Sequence, residues 1–232
     1  MKKGLSEIAC VLDRSGSMSS IIGDAIGGFN AFLKGQKEVE GEANMTVALF
    51  DSEYDLLYDN ININEVNDLD SSTYVPRGST SLHDAIGRTI NTIGARLRST
   101  PEEDRPENVI VAILTDGDEN TSREFDASKI KEMIGHQESK YNWKFLYLAA
   151  NQDAFAVGSG MGFNIGNSIN FNATAKGSTT AYANMNLYSS SVRCCADVSN
   201  FAQDMALSED DVTITNATTG DAVIAPDAII NS

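Results

Sequence analysis

The feature that most constrains the fold is a repeated alternation between short apolar runs and stretches with helical periodicity. Apolar runs of strand length lie at residues 8–12, 46–50, 109–114, 145–149 and 168–171. Between them, apolar residues recur every three or four positions, as they do from Ile21 to Leu33. Alternation of this kind is typical of βαβ units, in which helices cover both faces of a mostly parallel sheet.

One connection is too short for this pattern. Residues 51–53 separate the run at 46–50 from a further apolar run at 54–58. A parallel pair of strands requires a crossover, so the run at 54–58 is expected to pair antiparallel at the sheet edge. The chain is therefore predicted to form an α/β, Rossmann-like, doubly wound sheet of six strands, mostly parallel, with one antiparallel edge strand and helices on both faces.

The length of 232 residues suits one substantial hydrophobic core. A polar segment at 60–73 precedes a helix predicted at 82–97, and the final helix is predicted from Tyr182 to about Met205, with Cys195 and Ala202 on its inward face. Beyond Leu207 the sequence turns polar. We therefore expect one domain over residues 1–206 and a C-terminal extension over residues 207–232, which is either an ordered hairpin or a loose tail.

The charge of the chain limits its partners. Thirty-three acidic residues against seventeen basic ones give a net charge of −16. This argues against binding to nucleic acid or to anionic membranes, which both require a basic surface, and favours cations. No apolar run reaches membrane-spanning length, and the first strand begins too soon after Met1 for a signal peptide. With three cysteines that fit reduced thiols, a cytoplasmic protein is expected.

Three polar motifs stand at the ends of the predicted elements. DRSGS at 13–17 follows the first strand, GSTS at 78–81 opens the helix at 82–97, and TDGDE at 115–119 follows the strand at 109–114. In a doubly wound sheet, ligands gather where strands end at their carboxyl edge. The motifs offer carboxylate and hydroxyl oxygens without a histidine or cysteine cluster, which is the donor set of a hard cation such as Mg²⁺.

These motifs, in this order along an alternating α/β chain, resemble those of the von Willebrand factor A domain and its metal ion-dependent adhesion site. The similarity spans roughly residues 5–205. It implies that Ser15, Ser17 and Thr80 coordinate a metal ion through their hydroxyls, while Asp13 and Asp116 act directly or through water. It also implies Mg²⁺, with Mn²⁺ or Ca²⁺ as alternatives.

The same resemblance implies a function. The chain would be a non-enzymatic protein-binding module of the adhesion or scaffold type, from a bacterium or a phage. An Asp or Glu side chain of a partner protein would complete the coordination of the metal ion.

Helix capping is a simpler explanation for each motif taken alone. Asp13 with Ser15 could cap the first helix, Thr80 or Ser81 could cap the second, and Asp116 could belong to a plain turn. The charged residues nearby also have simple explanations. Asp84 and Arg88 are spaced as an i,i+4 ion pair, His83 fits a surface position, and Asp118 and Glu119 fit solvated loop charge.

Two other functions stay open. Haloacid dehalogenase phosphatases keep a nucleophilic Asp at the end of the first strand of a Rossmann-like sheet, which would make this chain a Mg²⁺-dependent phosphoryl-transfer or hydrolytic enzyme. Those enzymes place a second Asp two residues later, where this chain has Ser15, and no phosphate-binding Lys follows a later strand. The remaining option is a scaffold whose metal ion is purely structural.

Overall fold

The computed structural model describes residues 1–203 of the chain. Its strands are β1 (Lys2–Asp13), β2 (Glu42–Phe50), β3 (Tyr54–Asn62), β4 (Pro106–Thr115), β5 (Lys144–Ala150) and β6 (Ser168–Phe171). They form one sheet in the order β3-β2-β1-β4-β5-β6, in which β3 runs antiparallel to β2 and every other pair is parallel. The predicted sheet and its antiparallel edge strand are confirmed.

Five α-helices lie among the described residues: α1 (Ile22–Glu38), α2 (Leu82–Ser99), α3 (Ala127–Tyr141), α4 (Ala154–Gly160) and α5 (Ala175–Arg193). Helices α1 and α5 cover one face of the sheet, and α2, α3 and α4 cover the other. None of these helices combines the length and the apolar character that crossing a lipid bilayer would require.

Alternate residues of each central strand face opposite layers of helices. In β1, Ile8 and Leu12 pack toward α1 and α5, while Ala9 and Val11 pack toward α2, and all four are fully buried. Burial on both faces explains why this strand reads as a nearly continuous apolar run. The strand order reverses direction between β1 and β4, so the crevice at the carboxyl ends of these two strands is the topological switch point of the sheet.

The final helix ends earlier than the sequence suggested. Helix α5 stops at Arg193, and Cys195 is exposed with a left-handed backbone (φ 59°). A left-handed residue just past the end of a helix terminates it, so Cys195 does not face inward as expected. The chain then turns back, and the ring of Phe201 packs edge-on against Tyr188 at 5.2 Å. Ala202 is only partly buried, and the predicted extension at 207–232 lies outside the described residues.

The polar segment at 60–73 also carries a buried side. Ile63, Val66 and Leu69 are at most 4% exposed and pack into the core beside α1, together with Tyr74. These three apolar residues are spaced three positions apart among polar residues. The average polarity of the segment is therefore high and does not indicate that one side of it is buried. The segment thus packs beside α1 before the chain reaches the second polar motif at residues 78–81.

Candidate metal centre

The carboxylate of Asp13 lies at the switch point and is held from several sides. Asp13 is the last residue of β1 and is fully buried. Its Oδ1 accepts a hydrogen bond from the Ser15 amide at 2.6 Å, and its Oδ2 accepts one from Thr115 Oγ1 at 2.5 Å. The Tyr74 hydroxyl donates to its main-chain oxygen. The adjacent ends of β1 and β4 thereby fix this carboxylate.

A chain of hydroxyls joins the first motif to the third. Ser15 Oγ and Ser17 Oγ lie 3.0 Å apart, and Ser17 Oγ donates to Asp116 Oδ1 at 2.5 Å. The main-chain oxygen of Asp116 accepts from Asn151 Nδ2, which follows β5. Two carboxylates and two hydroxyls from distant parts of the sequence therefore share one small volume at the carboxyl edge of the sheet.

Thr80 completes the group, and Gly117 leaves the space open between its members. A Cβ atom at Gly117 would lie 2.8 Å from Thr80 Oγ1 and 3.6 Å from the Oγ atoms of both Ser15 and Ser17. Three hydroxyls thus surround one point that any other residue at position 117 would fill. Glycine is required here for close approach rather than for a left-handed backbone.

Capping does not explain the serines. Ser15 and Ser81 occupy the N-cap positions of the 3₁₀ turn at Gly16–Ile21 and of α2, but neither side chain makes a capping hydrogen bond. Ser81 Oγ instead lies 2.8 Å from Thr121 Oγ1. The Thr80 amide donates to Asn120 Oδ1, and the Thr80 main-chain oxygen accepts from the Asn120 amide. These two bonds fix the backbone of Thr80 and do not engage its hydroxyl.

Glu119 has a structural role that the sequence did not reveal. Its carboxylate accepts hydrogen bonds from the amides of His83, Thr121 and Ser122. It therefore supplies an acceptor for the first turn of α2, where helix amides lack partners, and it is not the solvated loop charge that we expected. Asp118 is exposed, as expected. His83 is only partly exposed, because it packs beside Glu119.

Asp84 organises the rest of the third loop. Although burial opposes ionisation, its hydrogen bonds from the amides of Arg123, Glu124 and Phe125 hold its pKa below the ordinary value. Arg88 pairs with Glu124 at 2.5 Å, so the expected Asp84–Arg88 pair is wrong. The Asp84 carboxylate therefore accepts from the backbone amides of the loop at residues 123–125. These amides satisfy it better than an exposed arginine would.

The electrostatics of the site disfavour its two carboxylates as ions. Burial, with a smaller contribution from the nearby Asp116, raises the pKa of Asp13 to about 6 despite the hydrogen bonds from Thr115 and Ser15, which lower it. Burial raises the pKa of Asp116 as well. Within residues 1–203 no basic side chain pairs with either one. A cation in the space beside Gly117 would therefore relieve an unfavourable arrangement of charge.

The donor set indicates which cation would fit. Residues 1–203 contain no group of three or more His, Cys, Asp and Glu side chains placed to hold a metal ion, so a cation here would depend on hydroxyls for part of its coordination. Two carboxylates with three hydroxyls are hard oxygen donors, and Mg²⁺ prefers such ligands together with water. The residues present fit a small divalent ion.

One buried ion pair beside the site was missed by the sequence analysis. Arg14 and Asp51 are 5% and 2% exposed and lie 2.9 Å apart, and Arg77 reaches the same carboxylate oxygen at 2.9 Å. These residues are 26 and 37 positions apart in sequence. Such pairs leave no periodic signal, and only the antiparallel turn predicted at 51–53 could have drawn attention to Asp51.

Comparison with known proteins gives a consistent fold. No protein-family model and no curated protein sequence matches the chain. Among solved structures, it is similar to the vWF domain of the type V pili tip protein Mfa5 from Porphyromonas gingivalis, with 10% identity, a TM-score of 0.52, and coverage of 78% of this chain and 94% of that one.

Two further solved structures are similar over a comparable part of the chain. They are the ArnB paralog VWA2 from Sulfolobus acidocaldarius, with 15% identity and a TM-score of 0.51, and proximal thread matrix protein 1 from the mussel byssus with a zinc-occupied MIDAS motif, with 13% identity and a TM-score of 0.53. They align with 78% and 81% of this chain, which spans only 45% and 46% of theirs. The chain has the fold of a von Willebrand factor A domain.

Proposed function

We propose that one divalent cation, with Mg²⁺ as the expected ion, is held by Asp13, Ser15, Ser17, Thr80 and Asp116. The observation that carries this proposal is the space beside Gly117, around which three hydroxyls lie within 3.6 Å of one point. The hydrogen bond from Ser17 to Asp116 links this space to the second carboxylate of the site. The mussel protein with the same fold carries zinc at its MIDAS motif, which supports a metal at the corresponding edge of the sheet here.

We further propose that the chain is a non-enzymatic binding module whose partner presents an Asp or Glu side chain. A cation held largely by neutral hydroxyls keeps its positive character and can attract one more carboxylate. The chain itself carries a net charge of −16 and repels acidic proteins at long range. Contact with the partner would therefore be short-ranged and directional, and it would depend on the metal ion.

Titration calorimetry with Mg²⁺ and Mn²⁺ tests the metal site. Wild-type protein should bind one ion per chain, and the Asp116→Ala variant should lose this binding while keeping the circular dichroism spectrum of the wild type. A wild-type protein without saturable binding of either ion would overturn the proposal.

The partner is tested by capture from cells that naturally contain the protein, in Mg²⁺ and in EDTA. The informative variant is Thr80→Asp, which adds a carboxylate to the donor set. It should keep or strengthen metal binding, since a charged oxygen replaces a neutral one, but it should weaken partner binding because the ion is less electrophilic. Capture that persists unchanged in this variant and in EDTA would show that the metal ion is structural.

An assay with a generic phosphate ester tests the enzymatic alternative. The absence of turnover is expected because Ser15 stands where a phosphatase would carry its second Asp, and its hydroxyl is engaged with Ser17. Hydrolysis that depends on Mg²⁺ and disappears in Asp13→Asn would favour an enzyme.

The cytoplasmic location belongs to the same proposal, and the three free thiols at Cys10, Cys194 and Cys195 support it.

A further inference from the structure

We propose that Asp51 and Arg77 are positioning residues for the metal centre, an inference that rests on the proposed function. They set the distance between the first loop, residues 13–17, and the second loop, residues 77–81. Neither residue belongs to the five proposed ligands. Their effect is exerted through the loops that carry Asp13, Ser15, Ser17 and Thr80.

The buried carboxylate of Asp51 joins the two loops directly. Its Oδ2 accepts hydrogen bonds from Arg14 Nε and from Arg77 Nε, both at 2.9 Å. Arg14 lies between the proposed ligands Asp13 and Ser15, and Arg77 lies three residues before Thr80. A single oxygen atom therefore connects the loops that must converge on the ion.

Backbone hydrogen bonds place the same two loops against each other and against the turn at 51–53. The Arg77 amide donates to the Arg14 oxygen at 2.8 Å, the Gly16 amide to the Gly78 oxygen at 3.2 Å, and the Ser81 amide to the Asp51 oxygen at 2.9 Å. Gly78 has the left-handed backbone (φ +65°) that this path requires. Because Mg²⁺ demands near-ideal octahedral geometry, small changes in loop spacing should alter its affinity.

Substitution of Arg77 distinguishes an effect of loop position on metal affinity from an effect of charge. It is 53% exposed and spans two carboxylates, since its Nη2 also pairs with Glu53 at 2.9 Å. Replacing it with an uncharged residue makes the surroundings of the site more negative by one charge, which by Coulomb attraction alone would strengthen cation binding. Loosening the second loop would weaken it. The direction of the change in affinity therefore distinguishes the two effects.

The test is the dissociation constant for Mg²⁺ of the Arg77→Met variant, measured by titration calorimetry beside its melting temperature in EDTA. We expect binding to weaken about tenfold, the lower end of the losses seen for residues that orient metal ligands. Asp51→Asn should weaken binding too. The double variant should bind no more weakly than Asp51→Asn alone, because both substitutions break the same connection.

Arg193→Met is the matched control for a general loss of stability. Arg193 is partly buried and also joins separate elements. It donates to the main-chain oxygens of Gln36, Val39 and Gly41. These oxygens lie near the start of β2, at the amino ends of the parallel strands and so away from the metal centre. This variant should melt at a lower temperature and bind Mg²⁺ as the wild type does.

Unchanged or tighter binding in Arg77→Met, with normal binding in the wild type, would overturn this inference alone. Equal weakening in Arg193→Met would overturn it as well, because the effect would then follow stability. Failure of the wild type to bind Mg²⁺ would overturn both this inference and the proposed function.

Discussion

Ser17 Oγ donates a 2.5 Å hydrogen bond to Asp116 Oδ1, which joins two motifs 99 residues apart in the sequence. The bond forms because β1 and β4 are neighbours in the sheet and both end at the same edge. A hydroxyl that donates to a carboxylate turns its lone pairs elsewhere, and here they can turn toward the space beside Gly117.

Gly117→Ala should weaken Mg²⁺ binding at least tenfold while the protein stays folded. The added Cβ would lie 2.8 Å from Thr80 Oγ1, so it would occupy the space among the hydroxyls and displace the threonine. Overpacking of this kind destabilises proteins by about 1–3 kcal/mol. Calorimetric titration with Mg²⁺ and urea unfolding in EDTA measure the two effects. Gly135→Ala on α3, where a Cβ meets nothing within 4 Å, is the control and should leave metal binding unchanged.

Asp13→Asn should make the metal-free protein more stable at pH 7 and remove metal binding. The pKa of Asp13 is raised to about 6 by burial, above its value in the unfolded chain. Its stabilising contribution is therefore present below about pH 4 and is lost as the pH rises through about 6. The asparagine amide can donate to Thr115 Oγ1, which can itself donate to the Gly117 oxygen.

Urea unfolding in EDTA between pH 4 and pH 8 checks this prediction. The advantage of Asp13→Asn over the wild type should approach about 3 kcal/mol at pH 8, since a pKa unit corresponds to about 1.4 kcal/mol. It should shrink toward pH 4. An Asp13→Asn protein that is less stable than the wild type across this range would contradict the assignment of burial as the dominant effect.

Arg96→Met should destabilise the protein by about 3–5 kcal/mol at pH 7, because it leaves the carboxylate of Glu7 without its partner. Glu7 is 1% exposed, pairs with Arg96, and accepts from Thr46 Oγ1 at 3.1 Å. Burial already raises the pKa of Glu7, so its stabilising contribution is greatest at low pH and declines as the pH rises. The loss in Arg96→Met should therefore be smaller near pH 4.

The double variant Glu7→Met with Arg96→Met should recover most of the loss, since two apolar side chains replace a buried pair. Chemical denaturation of the wild type, Glu7→Met, Arg96→Met and the double variant, at pH 4 and at pH 7, gives the four free energies of the cycle at each pH. Equal losses at pH 4 and pH 7 in Arg96→Met would show that the unpaired carboxylate is not the cause.

Asp84→Ala should destabilise the protein by about 2 kcal/mol, because three backbone amides of residues 123–125 lose their acceptor. Hydrogen exchange should become faster at these amides before it changes in the central strands. Glu124→Ala, which removes only the exposed partner of Arg88, should leave stability nearly unchanged. Equal effects of the two substitutions would argue against the role assigned to Asp84.

The sequence predicted the sheet because its signals are local. Each central strand is an apolar run buried on both faces, and the three residues between β2 and β3 exclude a crossover. The same reasoning placed Asp13 and Asp116 at one edge, since the carboxyl ends of parallel strands meet there. The resemblance implied that Ser15, Ser17 and Thr80 share one ion, but the space that they surround depends on the paths of the loops and on the absent side chain of Gly117, which no sequence pattern shows.

Other features were hidden because partners far apart in sequence compete for the same groups. Asp84 and Arg88 have ideal spacing for an ion pair, yet each finds a better partner in residues 123–125, which no helical period reveals. The network of Arg14, Asp51 and Arg77 is likewise formed between loops. The early end of α5 depends on the left-handed backbone at Cys195. Cysteine does not favour this conformation, and the neighbouring residues do not predict it.

Among residues 1–203, strand β3 pairs on one side only, and an edge of this kind could recruit a strand from another molecule. Asp55 and Asp59 on this strand are paired with Arg14 and Arg96, and their side chains stay about half exposed, at 54% and 47%. A second molecule adding a strand here would have to desolvate two ion pairs along the shared edge. The other edge, β6, is only four residues long. The ion pairs of Arg14 and Arg96 with β3 should thus also disfavour edge-to-edge association of the sheet.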